Sequence, residues 1–137
     1  MRFSLIFWFS ILFLYSSCNK IDLYSDLVGS WEHVNQSHRI EINFKKNNQY
    51  ELNIGPIGYR DLILYKGNYI INKKKKPNTI DLKNTSNFSG SLYGIIKNID
   101  TNTIQISKFS SKWRLRPISF EDSNALLFHR ITTKGNI

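Results

Sequence analysis

The chain has 137 residues, one cysteine and a formal charge of +9, from 19 Lys or Arg against 10 Asp or Glu. A single thiol excludes an internal disulfide framework, and the length fits one domain able to bury its own core. Basic chains often meet nucleic acid or anionic surfaces, but here Asn and Ile are abundant and Ala125 is the only alanine, a coding bias that raises Lys whatever the function.

Met1 and Arg2 form a short positive start, and residues 3–14 are an uncharged run dominated by Phe, Leu, Ile and Trp. The run is shorter than the about 20 residues of a membrane-spanning helix. With the small residue Ser17 behind it, it has the parts of an exported leader. Leu14-Tyr15-Ser16-Ser17-Cys18 resembles a bacterial lipobox, with Tyr15 where that motif usually has a small or aliphatic residue. The resemblance implies removal of residues 1–17, a thioether-linked diacylglycerol on Cys18, and 120 residues held at a membrane by N-terminal acyl chains. Arg2 leaves with the leader, so the charge falls from +9 to +8. Asn19 rather than Asp after the cysteine implies a cell-envelope lipoprotein that moves on to an outer membrane or faces the periplasm. Export argues against nucleic acid as a partner.

Residues 18–26 read as the lipidated N-terminus and a tether, and the folded domain as residues 27–133. Within it the apolar residues recur with period two, the signature of half-buried strands. Ile40, Ile42 and Phe44 share one face of residues 38–45, and Arg39, Glu41, Asn43 and Lys45 the other. Tyr50, Leu52 and Ile54 repeat the pattern after a polar turn. Further strands are expected over residues 28–34, 61–72, 79–83, 91–99, 103–109 and 124–131, separated by Gly-, Pro-, Asn- and Ser-rich breaks. About eight strands with short connections predict an all-β domain, an antiparallel up-and-down barrel or strongly bent sheet, with a sandwich as the alternative.

Gly29-Ser30-Trp31 opens the first strand as the Gly-x-Trp element does in lipocalins, and Arg130 falls on the last strand, where lipocalins place an arginine over that tryptophan. Further along come Gly67-Asn68-Tyr69, Lys76-Pro77 followed by Ile80-Asp81-Leu82, Tyr93-Gly94-Ile95-Ile96, and Arg116-Pro117-Ile118-Ser119-Phe120. In that order they resemble the planctomycete-type lipocalin-like domain family of bacteria across about residues 27–131, with Ile96 where the family usually has an aromatic. The resemblance implies an exported lipocalin-like barrel closed by Gly29, Trp31 and Arg130, and supplies no catalytic residue to carry over.

No chemical constellation stands out. His33, His38 and His129 lack the Cys or His-x-Glu company of a metal site, Glu121 and Asp122 read as a solvated turn, and no nucleophile elbow is present. No catalytic residue, metal or cofactor is therefore assigned. Lys73-Lys74-Lys75-Lys76 reads as a solvated connection, with phosphate headgroups as the alternative contact. The resemblance, with a charged residue within each otherwise apolar strand or turn, offers a pairing of Asp81 with Arg116 inside the domain, and alternation about Leu115 would set Arg114 and Arg116 on one side. Aromatic residues either fill the barrel or line a cup for a small apolar ligand, and Tyr50, Tyr69 and Tyr93 are the candidate ligand-lining residues, with Trp31, Trp113 and Phe120 also considered. The expected function is non-enzymatic binding of a small apolar or amphipathic molecule. The alternative is an envelope protein-interaction module using residues 55–60 and 109–116, its partner undefined.

Overall fold

The computed structural model describes residues 26–59, 62–87 and 90–132. The leader, Cys18 and the tether up to residue 25 lie outside the described residues. Eight strands follow in chain order: β1 (Gly29–Val34), β2 (His38–Phe44), β3 (Gln49–Pro56), β4 (Ile63–Asn72), β5 (Asn78–Lys83), β6 (Leu92–Asp100), β7 (Thr103–Ser107) and β8 (Ala125–Arg130). Each pairs with the next, and β8 returns to β1, giving a closed eight-stranded antiparallel, lipocalin-like barrel. Among the described residues, the only helix after the strands begin is a single 3-10 turn, Trp113–Leu115. Closure satisfies the edges that a bent sheet of this size would leave open.

Short polar turns fix the register. Between β1 and β2 the Asn35 carboxamide accepts the backbone N–H groups of Ser37 and His38. Between β2 and β3, Asn48 takes a left-handed φ of 62°, which Asn tolerates, and Phe44 is set opposite Tyr50. That register sends residues 40, 42 and 44 inward together with 50, 52 and 54, as the alternating pattern predicts.

β7 ends two residues earlier than the apolar pattern implies. The Ser107 side-chain oxygen accepts the Ile95 N–H at 3.0 Å, and pairing resumes only as a bridge between Tyr93 and Ser110. The bend turns Phe109 over Gly94, an inward position with no side chain of its own. A Cβ there would lie 3.1 Å from the Phe109 ring. The long connection from β7 to β8 then crosses the outside of β5 and β6, where Arg116 meets Asp81 at 2.6 Å and lies over the Tyr93 ring. The pairing of Asp81 with Arg116 is present, on the outer wall of the barrel. Residues 113–115 are a 3-10 turn rather than an extended segment, so strand alternation does not govern Arg114 and Arg116.

Candidate functional site

The barrel has two unlike ends. At one, Arg130 lies over Trp31, its guanidinium carbon 4.1 Å from the ring centroid, and Trp31 is 1% exposed. The ring donates its Nε1–H to the Leu27 carbonyl at 2.8 Å. The guanidinium donates to three backbone carbonyls, those of Asp26, Val28 and Thr101. Gly29 has a φ of +130°, and a Cβ on it would lie 2.9 Å from the Arg130 guanidinium. A side chain there would therefore be strained and would displace the arginine. Gly29, Trp31 and Arg130 thus come together as one plug, which Leu27 completes from below at 0% exposure. The chain enters the fold at this closed end.

The large side chains gather in the closed half. Phe44 and Tyr69 meet edge to face at 4.9 Å, and Tyr50 donates its hydroxyl to Thr85 at 2.8 Å. Burial raises the Tyr50 phenol pKa above its ordinary value, partly opposed by the bond to Thr85. Tyr69 donates to the Lys45 carbonyl. Tyr50 and Tyr69 are core residues, and neither borders the cavity described next. Tyr93 points to the outer face, opposite Asp81 in the β5–β6 register and beside Lys83 and Arg116. Candidate ligand-lining tyrosines therefore lie away from the hollow. Trp31 is in the plug, and Trp113 is exposed on the outer connection.

Toward the other end, burial falls along the inward faces of β2, β3, β4 and β8, while Leu82 on β5 and Ile106 on β7 stay buried. On β2, Phe44 and Ile42 are buried and Ile40 half-buried; on β3, Tyr50 and Leu52 are buried and Ile54 half-buried; on β4, Tyr69 is buried, Tyr65 half-buried and Ile63 exposed. Phe128 is buried on β8, while Leu126 near the rim is half-buried. These gradients outline an apolar cup of about 280 Å³, walled by Ile40, Ile54, Leu92, Phe109, Leu126 and Phe128, with Ile42, Leu52 and Ile106 in its lower wall. Two polar residues border it. Ser107 already has its hydroxyl on the Ile95 N–H, and Lys108 is exposed at the rim.

The barrel seam also runs beside the cup. β1 and β8 share only two register pairs, Trp31 with Arg130 and Glu32 with His129. Above them the His33 ring takes over, its Nδ1 2.8 Å from the Leu127 carbonyl and its ring centroid 5.6 Å from that of Phe128. A carbonyl only accepts, so Nδ1 carries the proton in this bond. His38 lies next to the Ser37 hydroxyl at the start of β2, and His129 is exposed on β8. Among the described residues, no group of three or more His, Cys, Asp or Glu converges as a metal site would require.

Sequence reasoning raised a cup but set it among tyrosines, because the actual walls are ordinary Ile, Leu and Phe. A partial signal was present: once the strands alternate in direction, Trp31, Phe44, Tyr50 and Tyr69 fall at one end, while the other end takes Phe109 and Phe128 among Ile and Leu side chains. No protein-family model, no curated protein and no solved structure matches this chain, so the cup and the plug are read from their own geometry.

Proposed function

We propose that this chain is an exported, membrane-anchored lipoprotein, akin to the planctomycete-type lipocalin-like domains. Its barrel, without catalysis, binds the apolar part of a small amphipathic molecule. The observation that carries the reading is the apolar cup at the open end, left half-covered where every deeper inward position is packed. Its volume of about 280 Å³ is near the lower end of small-molecule pockets, which span about 300–1,000 Å³. An acyl segment or one aromatic ring system suits it better than a large polycyclic ligand. Burying that group gains about 25 cal/mol for each Å² of apolar surface removed from water. Lys108 at the rim supplies a cation where a polar head would emerge. No acid–base pair borders the cup, and its one hydroxyl is engaged. Anchoring is supported by the leader-like run and by Cys18 in its lipobox-like setting.

Two fluorescent probes with the same short acyl tail, one neutral and one carboxylate-headed, test the binding. Saturable uptake of both is expected, and Leu126→Trp, which fills the cup, abolishes it. Lys108→Gln weakens the carboxylate probe by less than about fivefold, as an exposed charge contact should, and leaves the neutral probe unchanged. Equal uptake by Leu126→Trp and the parent chain, both with the same circular dichroism, would refute the cup as the site.

A further inference from the structure

The outer connection between β7 and β8 carries a second surface that the cup does not use. The pairing of Arg116 with Asp81 and the bridge at Ser110 hold this connection against β5 and β6. Residues 113–118 are thereby brought alongside the lysine turn that joins β4 to β5. A groove of about 400 Å³ runs between them, with Pro77, Ile95 and Pro117 as apolar walls and Lys75, Lys76 and Arg114 at its edges. No Asp or Glu lines it, and among the described residues these three cations have no carboxylate partner. Arg116 has its charge balanced by Asp81. On the same connection Trp113 is 65% exposed, Leu115 66% and Ile118 86%. Three large apolar side chains on one exposed connection, beside unbalanced cations, form a surface that gains from leaving water where anionic groups are also at hand.

We infer that this patch docks the barrel onto the surface of an anionic phospholipid bilayer. Lys75, Lys76 and Arg114 would lie at the phosphates, with Trp113, Leu115 and Ile118 entering the interface, where tryptophan is favoured and long basic side chains extend to the headgroups. The choice of a bilayer over an acidic protein rests on the anchored reading of residues 1–18. The lysine turn, the turn after Phe44, the turn after Asp100 and the entering segment at Asp26 all share the closed end of the barrel. Asp26 lies eight positions beyond Cys18, a reach of at most about 29 Å. An anchor at Cys18 therefore holds the closed end, and with it the basic patch, near the membrane. The cup then opens away from it.

The test uses the full chain carrying Cys18→Ser, so that acylation plays no part and one introduced thiol bears an environment-sensitive fluorophore. The label is placed by Ile118→Cys in the patch or by Tyr59→Cys at the opposite end. Vesicles are neutral phosphatidylcholine, or phosphatidylcholine with about 30% phosphatidylglycerol. The label at position 118 should shift to the blue and be quenched by brominated acyl chains on anionic vesicles only, while the label at 59 stays in water on both. Replacing the three cations together (Lys75→Gln, Lys76→Gln, Arg114→Gln) should weaken the response at 118 by roughly fivefold for each, about a hundredfold in all, and added salt should act in the same direction. A response at 118 that is absent, equal on both vesicle types or indifferent to the triple substitution would overturn the inference. So would a label that ignores both vesicles but is shielded by envelope protein, which would assign the patch to a protein partner. Because the test omits the acyl chains, its failure is distinct from failure of acylation, which fatty-acid labelling of the parent chain and of Cys18→Ala reads separately.

Discussion

Trp31 and Arg130 do their work through one shared contact, and that sets what their removal costs. Trp31→Ala vacates a ring that is 1% exposed and should destabilise the barrel by about 3–5 kcal/mol in urea unfolding. Arg130→Ala should cost less, losing the packing of its stem and leaving the carbonyls of Asp26, Val28 and Thr101 to find other donors. The two losses should add to more than the double variant shows, because each single variant already breaks the stacking. Strictly additive losses would contradict the plug. Gly29→Ala should cost about 1–3 kcal/mol, since it strains a φ of +130° and presses on the arginine. The plug's three named residues were legible in the sequence because the Gly-x-Trp spacing and the distant arginine are side-chain signals. Their carbonyl partners were not, because a backbone acceptor leaves no mark on residue identity. Leu27 as a lid was visible only as the point where the fold begins.

At the scale of strands, the seam is the weak joint: β1 shares two register pairs with β8, while β2 and β3 share seven. Amide exchange should therefore be faster for Ile131, whose N–H bonds to Ser30 across the seam, than for amides in the middle of β2 and β3. Protection of Ile131 equal to theirs would argue against a thin closure. Across β2, β3 and β4 an ion-pair cluster forms instead, with Glu51 2.7 Å from Lys45 and 3.6 Å from Lys66. The hydrogen bond from Lys45, with smaller help from the charges of Lys45 and Lys66, lowers the Glu51 pKa below its ordinary 4.5. A carboxylate lowered on folding stabilises the fold above its unfolded pKa and loses that contribution as pH falls through the folded value. Unfolding midpoints should drop less steeply below pH 4.5 in Glu51→Gln than in the parent chain, by under about 1 kcal/mol for so exposed a pair. Strand existence and order were readable from period two almost throughout. Tyr93 was misread for a physical reason: the β7–β8 connection covers the outer wall, Ile95 is 1% exposed beneath it, and so Tyr93-Gly94-Ile95-Ile96 is apolar on both faces and its periodicity is silent.

For the whole molecule, the strand register decides how high each side chain sits in the barrel, and height decides what is filled and what is hollow. Counting inward aromatics from the sequence could not separate a solid core from a cup, because both use the same residues and differ only in where Trp31, Phe44, Tyr50 and Tyr69 come to rest. Once the turns fix the register, these four fill the closed half, and Ile40, Ile54, Leu92 and Leu126 are left around an open space. The same asymmetry would keep the two proposed roles apart: the entering segment at Asp26 and the basic patch lie toward the plugged end, and the cup opens at the other. Native mass spectrometry of the chain, extracted in mild detergent from the cells that make it, addresses the central claim most directly. The account predicts one small amphiphile retained per chain, beyond the mass of any covalent acyl groups, and its loss from Leu126→Trp extracted in the same way. A parent chain that carries no such mass, or a Leu126→Trp variant that carries it equally, would contradict the claim that the cup is a binding site.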